Sequence, residues 1–73
     1  MKHFELNPEV TYIELIKLLK AENIAFSGAE AKMMVEDEIV KVNGKTETRK
    51  RAKLREGDVV EVEGHTIKIT SKK

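Results

Sequence analysis

At Asp37 the spacing of apolar residues changes from three-to-four to two, so the chain can be neither all-helical nor all-strand. Before that point Tyr12, Leu15, Ile16 and Leu19 share one helical face, and Ala31, Met34 and Val35 share another. Each run carries a start signal with capping-box spacing, Thr11 with Glu14 and Ser27 with Glu30, in which hydroxyl and carboxylate each satisfy an orphan backbone donor. The second helix is predicted over residues 28–37, with Lys32 on its exposed side. Asn23 and Gly28 flank an Ile24-Ala25-Phe26 connection. After Asp37, Ile39, Val40 and Val42 lead into Asn43-Gly44, the pair best able to take the positive φ angles of a type I′ turn, with Lys45-Thr46-Glu47-Thr48 returning. Glu56-Gly57-Asp58 reads as a turn, and Val59, Val60 and Val62 pair with Ile67 and Ile69 across Glu63-Gly64. Phe4 and Leu6 suit a short strand or extended arm before Asn7-Pro8. Elements segregated in this way define an α+β domain, two N-terminal helices packed on a small twisted sheet of about four short strands.

With 73 residues, 40% of them hydrophobic, the chain can fill one small core. A domain of this size buries only about 60% of its unfolded surface, so residues 1–73 are expected to form a single, marginally stable unit. Without cysteine there is neither a disulfide framework nor a thiolate zinc site, and a cytoplasmic protein is the expectation. No apolar run exceeds three residues, against roughly 20 for a membrane span, and the first residues lack the apolar stretch of a signal peptide. His3 and His65 are far apart and suit surface or edge-strand positions better than a metal site. Glu36-Asp37-Glu38 reads as a solvated helix end rather than an acid-base pair. The four glycines stand singly, in no phosphate-cradling cluster. Catalysis, metals and nucleotide cofactors are therefore not expected.

Charge is segregated. Residues 40–55 hold seven cations (Lys41, Lys45, Arg49, Lys50, Arg51, Lys53, Arg55) and one anion, Glu47, a local +6; with +1 for the whole chain, the remainder carries −5. Five of the seven places in residues 49–55 are cationic, and a link between two hairpins must hold them close despite mutual repulsion. Phosphates would relieve it, since Lys supplies point charge and Arg a bidentate fork matched to phosphate oxygens. A solvated charged loop, or one that meets an acidic protein, is the plainer alternative. The three aromatic residues, Phe4, Tyr12 and Phe26, each fall where the pattern wants a core residue, which leaves none to stack on bases. Backbone and shape readout remains, from the loop, Lys32 and the start of the second helix near Ser27.

Four blocks in order, Ser27-Gly28-Ala29-Glu30-Ala31-Lys32, Val40-Lys41-Val42-Asn43-Gly44, Glu47-Thr48-Arg49-Lys50-Arg51 and Leu54-Arg55-Glu56-Gly57-Asp58-Val59-Val60, resemble the RNA-binding domain named after ribosomal small-subunit protein S-four. The chain is most similar to the short, stand-alone bacterial subgroup, over residues 11–69. The resemblance implies a helix pair followed by a small twisted sheet, and binding of structured RNA through the second helix and the following hairpin and loop. It implies Lys32, Lys41, Asn43, Lys45, Arg49, Lys50, Arg51, Lys53 and Arg55 as RNA-binding residues. Ribosomal or transfer RNA is the implied partner, reached on ribosomal particles or free, with the protein acting as a monomer. Gly28 and Ala29 stand where larger members bear arginines, which shifts affinity toward the loop. Glu38 stands where the subgroup commonly has glycine between helix and strand. The competing function is a protein-interaction module whose basic loop docks on an acidic partner; displacement of that partner by structured RNA separates the two.

Overall fold

The computed structural model describes residues 1–71. Its elements run β1 (Lys2–Leu6), β2 (Ile13–Glu14), α1 (Leu15–Ala21), α2 (Gly28–Glu36), β3 (Val40–Val42), β4 (Lys45–Thr46), β5 (Lys53–Leu54), β6 (Val59–Val62) and β7 (His65–Ser71). Among the described residues one sheet has the order β1-β7-β6-β3-β4, and β2 pairs separately with β5. The sheet's neighbours are antiparallel except β1 and β7, which run parallel with Phe4 opposite Ile69. The expected α+β class holds, with more strands than the four anticipated, because the N-terminal arm joins the sheet and the basic loop forms a two-residue ladder of its own.

Period-two alternation sends Val40, Val60, Val62, Ile67 and Ile69 to one face of the sheet, where all five are buried. Against that face α1 sets Leu15, Leu18 and Leu19, and α2 sets Ala31, Met34 and Val35, in a single apolar cluster. Each fully buried branched side chain contributes on the order of 1.5–3 kcal/mol. Lys41, Glu61 and Lys68 occupy the opposite, open face.

Both helices stop in the same way. At the end of α1 the Asn23 N–H donates to Lys20 O and Ile24 N–H to Leu19 O; at the end of α2 Glu38 N–H donates to Val35 O and Ile39 N–H to Met34 O. These paired bonds make a Schellman motif, whose residue after the cap takes positive φ. That residue is Asn23 (φ 58°) in one case and Glu38 (φ 59°) in the other. The glycine-favouring geometry inferred at Glu38 is therefore present, with a long side chain in it.

The start of α2 matches expectation, Glu30 N–H donating to Ser27 Oγ at 3.2 Å. The start of α1 does not. Ile13 and Glu14 are extended and pair with Leu54 and Lys53, so the helix begins only at Leu15 and Thr11 is no cap. In place of a side chain, the Ala52 carbonyl accepts the Leu15 N–H at 2.9 Å. Both hairpins turn as predicted, Asn43-Gly44 with φ 53° and 83° and Glu63-Gly64 with φ 45° and 82°, the signs a type I′ turn requires. The first return strand is shorter than predicted, because after Glu47 the chain folds back on itself.

Candidate nucleic-acid interface

The basic segment is not a loose loop. From Arg51 to Arg55 exposure alternates, with Ala52 and Leu54 buried in the core and Arg51, Lys53 and Arg55 turned to solvent. Three attachments fix it to the start of α1 and the residues just before it: the Ala52–Leu15 hydrogen bond, the β2–β5 ladder, and Tyr12, whose ring lies 5.1 Å from Lys53 Nζ and 5.9 Å from the Arg55 guanidinium carbon. Cation–π attraction of this kind is worth on the order of 0.5–1 kcal/mol at an exposed site. Tyr12 is thus not the core residue that the apolar pattern predicts but a half-exposed support beneath two cations.

The far end of the loop is fixed by a hydrogen-bonded chain. Asn43 Nδ2 donates to Asp58 Oδ1 at 3.0 Å, Val59 N–H donates to Asn43 Oδ1 at 2.9 Å, and Arg55 N–H donates to Asp58 Oδ2 at 2.8 Å. Both ends of the Asn43 amide are therefore committed within the protein, and the residue positions the hairpin against the loop.

At the near end Glu47 accepts from the Arg49 backbone N–H and Nε, each at 3.1 Å, and from Nη2 at 3.3 Å. Hydrogen bonding from Arg49 holds the Glu47 carboxyl below the usual range and in turn raises the guanidinium value. Lys50 reaches the other way, to Glu36 on α2. That hydrogen bond, then the charge of Lys50, and more weakly that of Lys32, lower the Glu36 carboxyl. Glu36 thus joins the loop to the exposed side of α2, bringing Lys32 and Lys50 around one carboxylate.

These attachments gather most of the residues singled out in the sequence. Arg49, Arg51, Lys53 and Arg55, with Ala52 at the floor, line a shallow concavity of about 450 Å³. A neighbouring one of about 510 Å³ adds Lys45 and Asn43. Lys41 is not brought into this group: it lies on the open face, paired across the strands with Thr46 and Glu61. A roomier groove of about 640 Å³ beside β1 is mainly apolar and carries Glu5, Glu9 and Glu14 against one cation, Lys17, a balance that disfavours a polyanion there. Among the described residues no group of three or more His, Cys, Asp or Glu side chains could hold a metal ion, and no helix is long and apolar enough to cross a membrane.

Sequence reasoning missed the seating of the loop and the placement of two aromatics. Ala52 and Leu54 between cations were a readable period-two signal. Phe26 was expected in the core, yet it is 94% exposed, because its neighbours Ala25 and Ile24 turn inward in its place.

A helix pair, a hairpin and a seated cationic segment beside the second helix define a small α+β domain with one anion-directed side. The chain belongs to the S4 domain family, whose model matches residues 4–70. It is 42% identical over 60 residues to the putative RNA-binding protein YbcJ of Escherichia coli K12, covering 82% of this chain and 86% of that one. YbcJ of Shigella flexneri matches to the same extent. The solution structure of E. coli YbcJ superposes with a TM-score of 0.73 at 40% identity, over 96% of this chain and 87% of that one, and is described as revealing an αL motif involved in RNA binding.

Proposed function

We propose that this chain binds structured RNA, ribosomal or transfer RNA, through phosphate backbone and shape, using residues 49–55 and the exposed side of α2. The observation that carries the reading is the alternation over residues 51–55, in which every inward side chain is apolar and every outward one is a cation on an anchored backbone. A cationic surface already fixed in shape meets ordered phosphates without the ordering cost that a flexible basic tail would incur. The description of YbcJ as RNA-binding supports the same reading.

In this proposal Lys32, Lys45, Arg49, Lys50, Arg51, Lys53 and Arg55 contact phosphates, Asn43 holds the hairpin in register with them, and Lys41 lies at the margin. Lys50 exchanges the solvent-exposed Glu36 for phosphate oxygens, and Arg49, whose side chain is 80% exposed, meets phosphate while it remains bonded to the mostly covered Glu47. The protein acts as a monomer and as one domain over residues 1–73, in the cytoplasm and on ribosomal particles.

Fluorescence anisotropy with a labelled RNA stem-loop at several salt concentrations tests it. If about four to six cations meet phosphates, log K falls with log salt at a slope of roughly −3 to −5. No binding at low salt, or a slope near zero, would sink the proposal. An acidic protein that binds the loop and is not displaced by the RNA would assign it to protein recognition.

A further inference from the structure

Phe26 is the most exposed large apolar side chain of the described residues, at 94%, and Met33 on α2 is 60% exposed. Neither belongs to the core cluster. Phe26 immediately precedes the Ser27 cap, at the head of α2, and the exposed side of that helix carries Ala29, Lys32, Met33 and Glu36. The first turn beside Phe26 is uncluttered: a Cβ added at Gly28 would meet nothing within 4 Å.

The exposed side of α2 leads from Phe26 to the cationic loop. Glu36, at its far end, holds Lys50 of the basic loop and feels the charge of Lys32. At 1.5 Å per residue the exposed side of α2, from Gly28 to Glu36, is about 12 Å long. A fitting ligand has negative charge for the loop and Lys32, together with a flat apolar surface for an aromatic ring that nothing in the protein covers. An RNA helix offers the first along its backbone, but its bases are stacked and closed. An unpaired nucleotide beside a helix offers both.

We infer that Phe26 stacks on an unpaired base, and that the RNA recognised is a stem bearing a loop or bulge rather than a continuous duplex. The inference rests on the RNA-binding reading above and adds the substrate class. It also reverses the exclusion of base stacking drawn from the aromatic pattern, which assumed that Phe26 was buried.

The test compares a stem closed by a six-nucleotide loop with a blunt duplex of the same stem, each titrated at fixed salt with the unaltered protein and with the Phe26→Ala, Phe26→Trp and Arg49→Ala/Lys50→Ala/Arg51→Ala variants. The unaltered protein should prefer the stem-loop. Phe26→Ala should weaken stem-loop binding by about tenfold, the order of one lost base–aromatic stack, while leaving the salt slope and duplex binding unchanged. Phe26→Trp should restore the preference. Because Phe26 makes no core contact, all of its variants should fold, and circular dichroism checks this. Equal stem-loop affinity for Phe26→Ala and the unaltered protein, with the triple loop variant still impaired, would overturn the stacking inference and leave RNA binding standing. Failure of the unaltered protein to bind either RNA at low salt would overturn both. If Phe26→Ala abolishes self-association in sedimentation while RNA affinity stays put, the ring serves a protein contact and the inference falls.

Discussion

Residues 51–55 and the open face of the sheet follow the same period-two alternation, yet only one of them makes a positive surface. Along the loop one continuous segment supplies every outward residue, and Arg51, Lys53 and Arg55 add up. On the open face the outward residues come from different strands, and registration interleaves their signs: Lys41 lies opposite Glu61, which lies opposite Thr66. Lys68 stands between Val59 and His3, with Glu5 further along β1. Cation count alone would not distinguish the two. Electrostatic focusing depends on what the topology places beside each charge.

The contrast breaks most visibly if the loop loses its seat. Leu54 is 1% exposed, and Leu54→Ala should cost about 2–5 kcal/mol in urea denaturation, a large share of the stability of so small a domain. A loss under about 1 kcal/mol would mean that the segment is not part of the core. Charge removal should do the opposite. Replacing Arg49, Lys50 and Arg51 by Ala should lower RNA affinity roughly tenfold or more at moderate salt. Stability should move by no more than about 0.5 kcal/mol at Lys50 and Arg51, and more only at Arg49, which bonds the mostly covered Glu47.

Glu38→Gly alters neither cationic region and so calibrates stability against binding. The left-handed position strains a side chain and not glycine, so the variant should gain up to about 1 kcal/mol in chemical denaturation, with RNA affinity nearly unchanged. A less stable variant would show that the carboxylate contributes more than the strain costs. On the open face, Lys41→Ala with Lys68→Ala should leave the salt slope within one contact of the unaltered protein, about 0.9. A fall as steep as that of the loop variant would erase the distinction between the two surfaces.

The smallest effect is at Glu36. Its folded value lies below its unfolded one, so the contribution of its pair with Lys50 is in place above the ordinary carboxylate range and is lost as pH falls through the lowered folded value. Carboxyl NMR should find the Glu36 midpoint rising in Lys50→Ala; an unmoved midpoint would detach the loop from α2.

Local chemistry explains what was legible in the sequence. Ser27 with Glu30, and Asn43 with Gly44, carry signals that act within four residues, and both fold as read. Thr11 with Glu14 has the same spacing as the Ser27 cap but fails, because Glu14 is drawn into a ladder with Lys53, 39 positions away in the chain. Tyr12 fits a helical pattern and instead lies under Lys53 and Arg55, for the same reason. At the interface, the cations could be found from sequence, whereas their floor and their link to α2 through Glu36 depend on contacts between distant segments. Lys41 was grouped with the loop because it is near it in sequence, and strand alternation turns it to the other side.

The parallel pairing of β1 with β7 brings the first described strand beside the last, and the Thr70 hydroxyl donating to the Phe4 carbonyl closes a separation of 66 residues. During synthesis β1 is made before β7, the one strand it pairs with among the described residues. The hairpins of β3, β4, β6 and β7 close over short distances, while the β1 contact carries the largest loop-closure cost in the sheet and comes late in assembly. The N-terminal strand is therefore the sheet's clasp: until it fastens, Ile67 and Ile69 present an unpaired edge, and a stalled or shortened chain exposes a strand ready to pair with a neighbour.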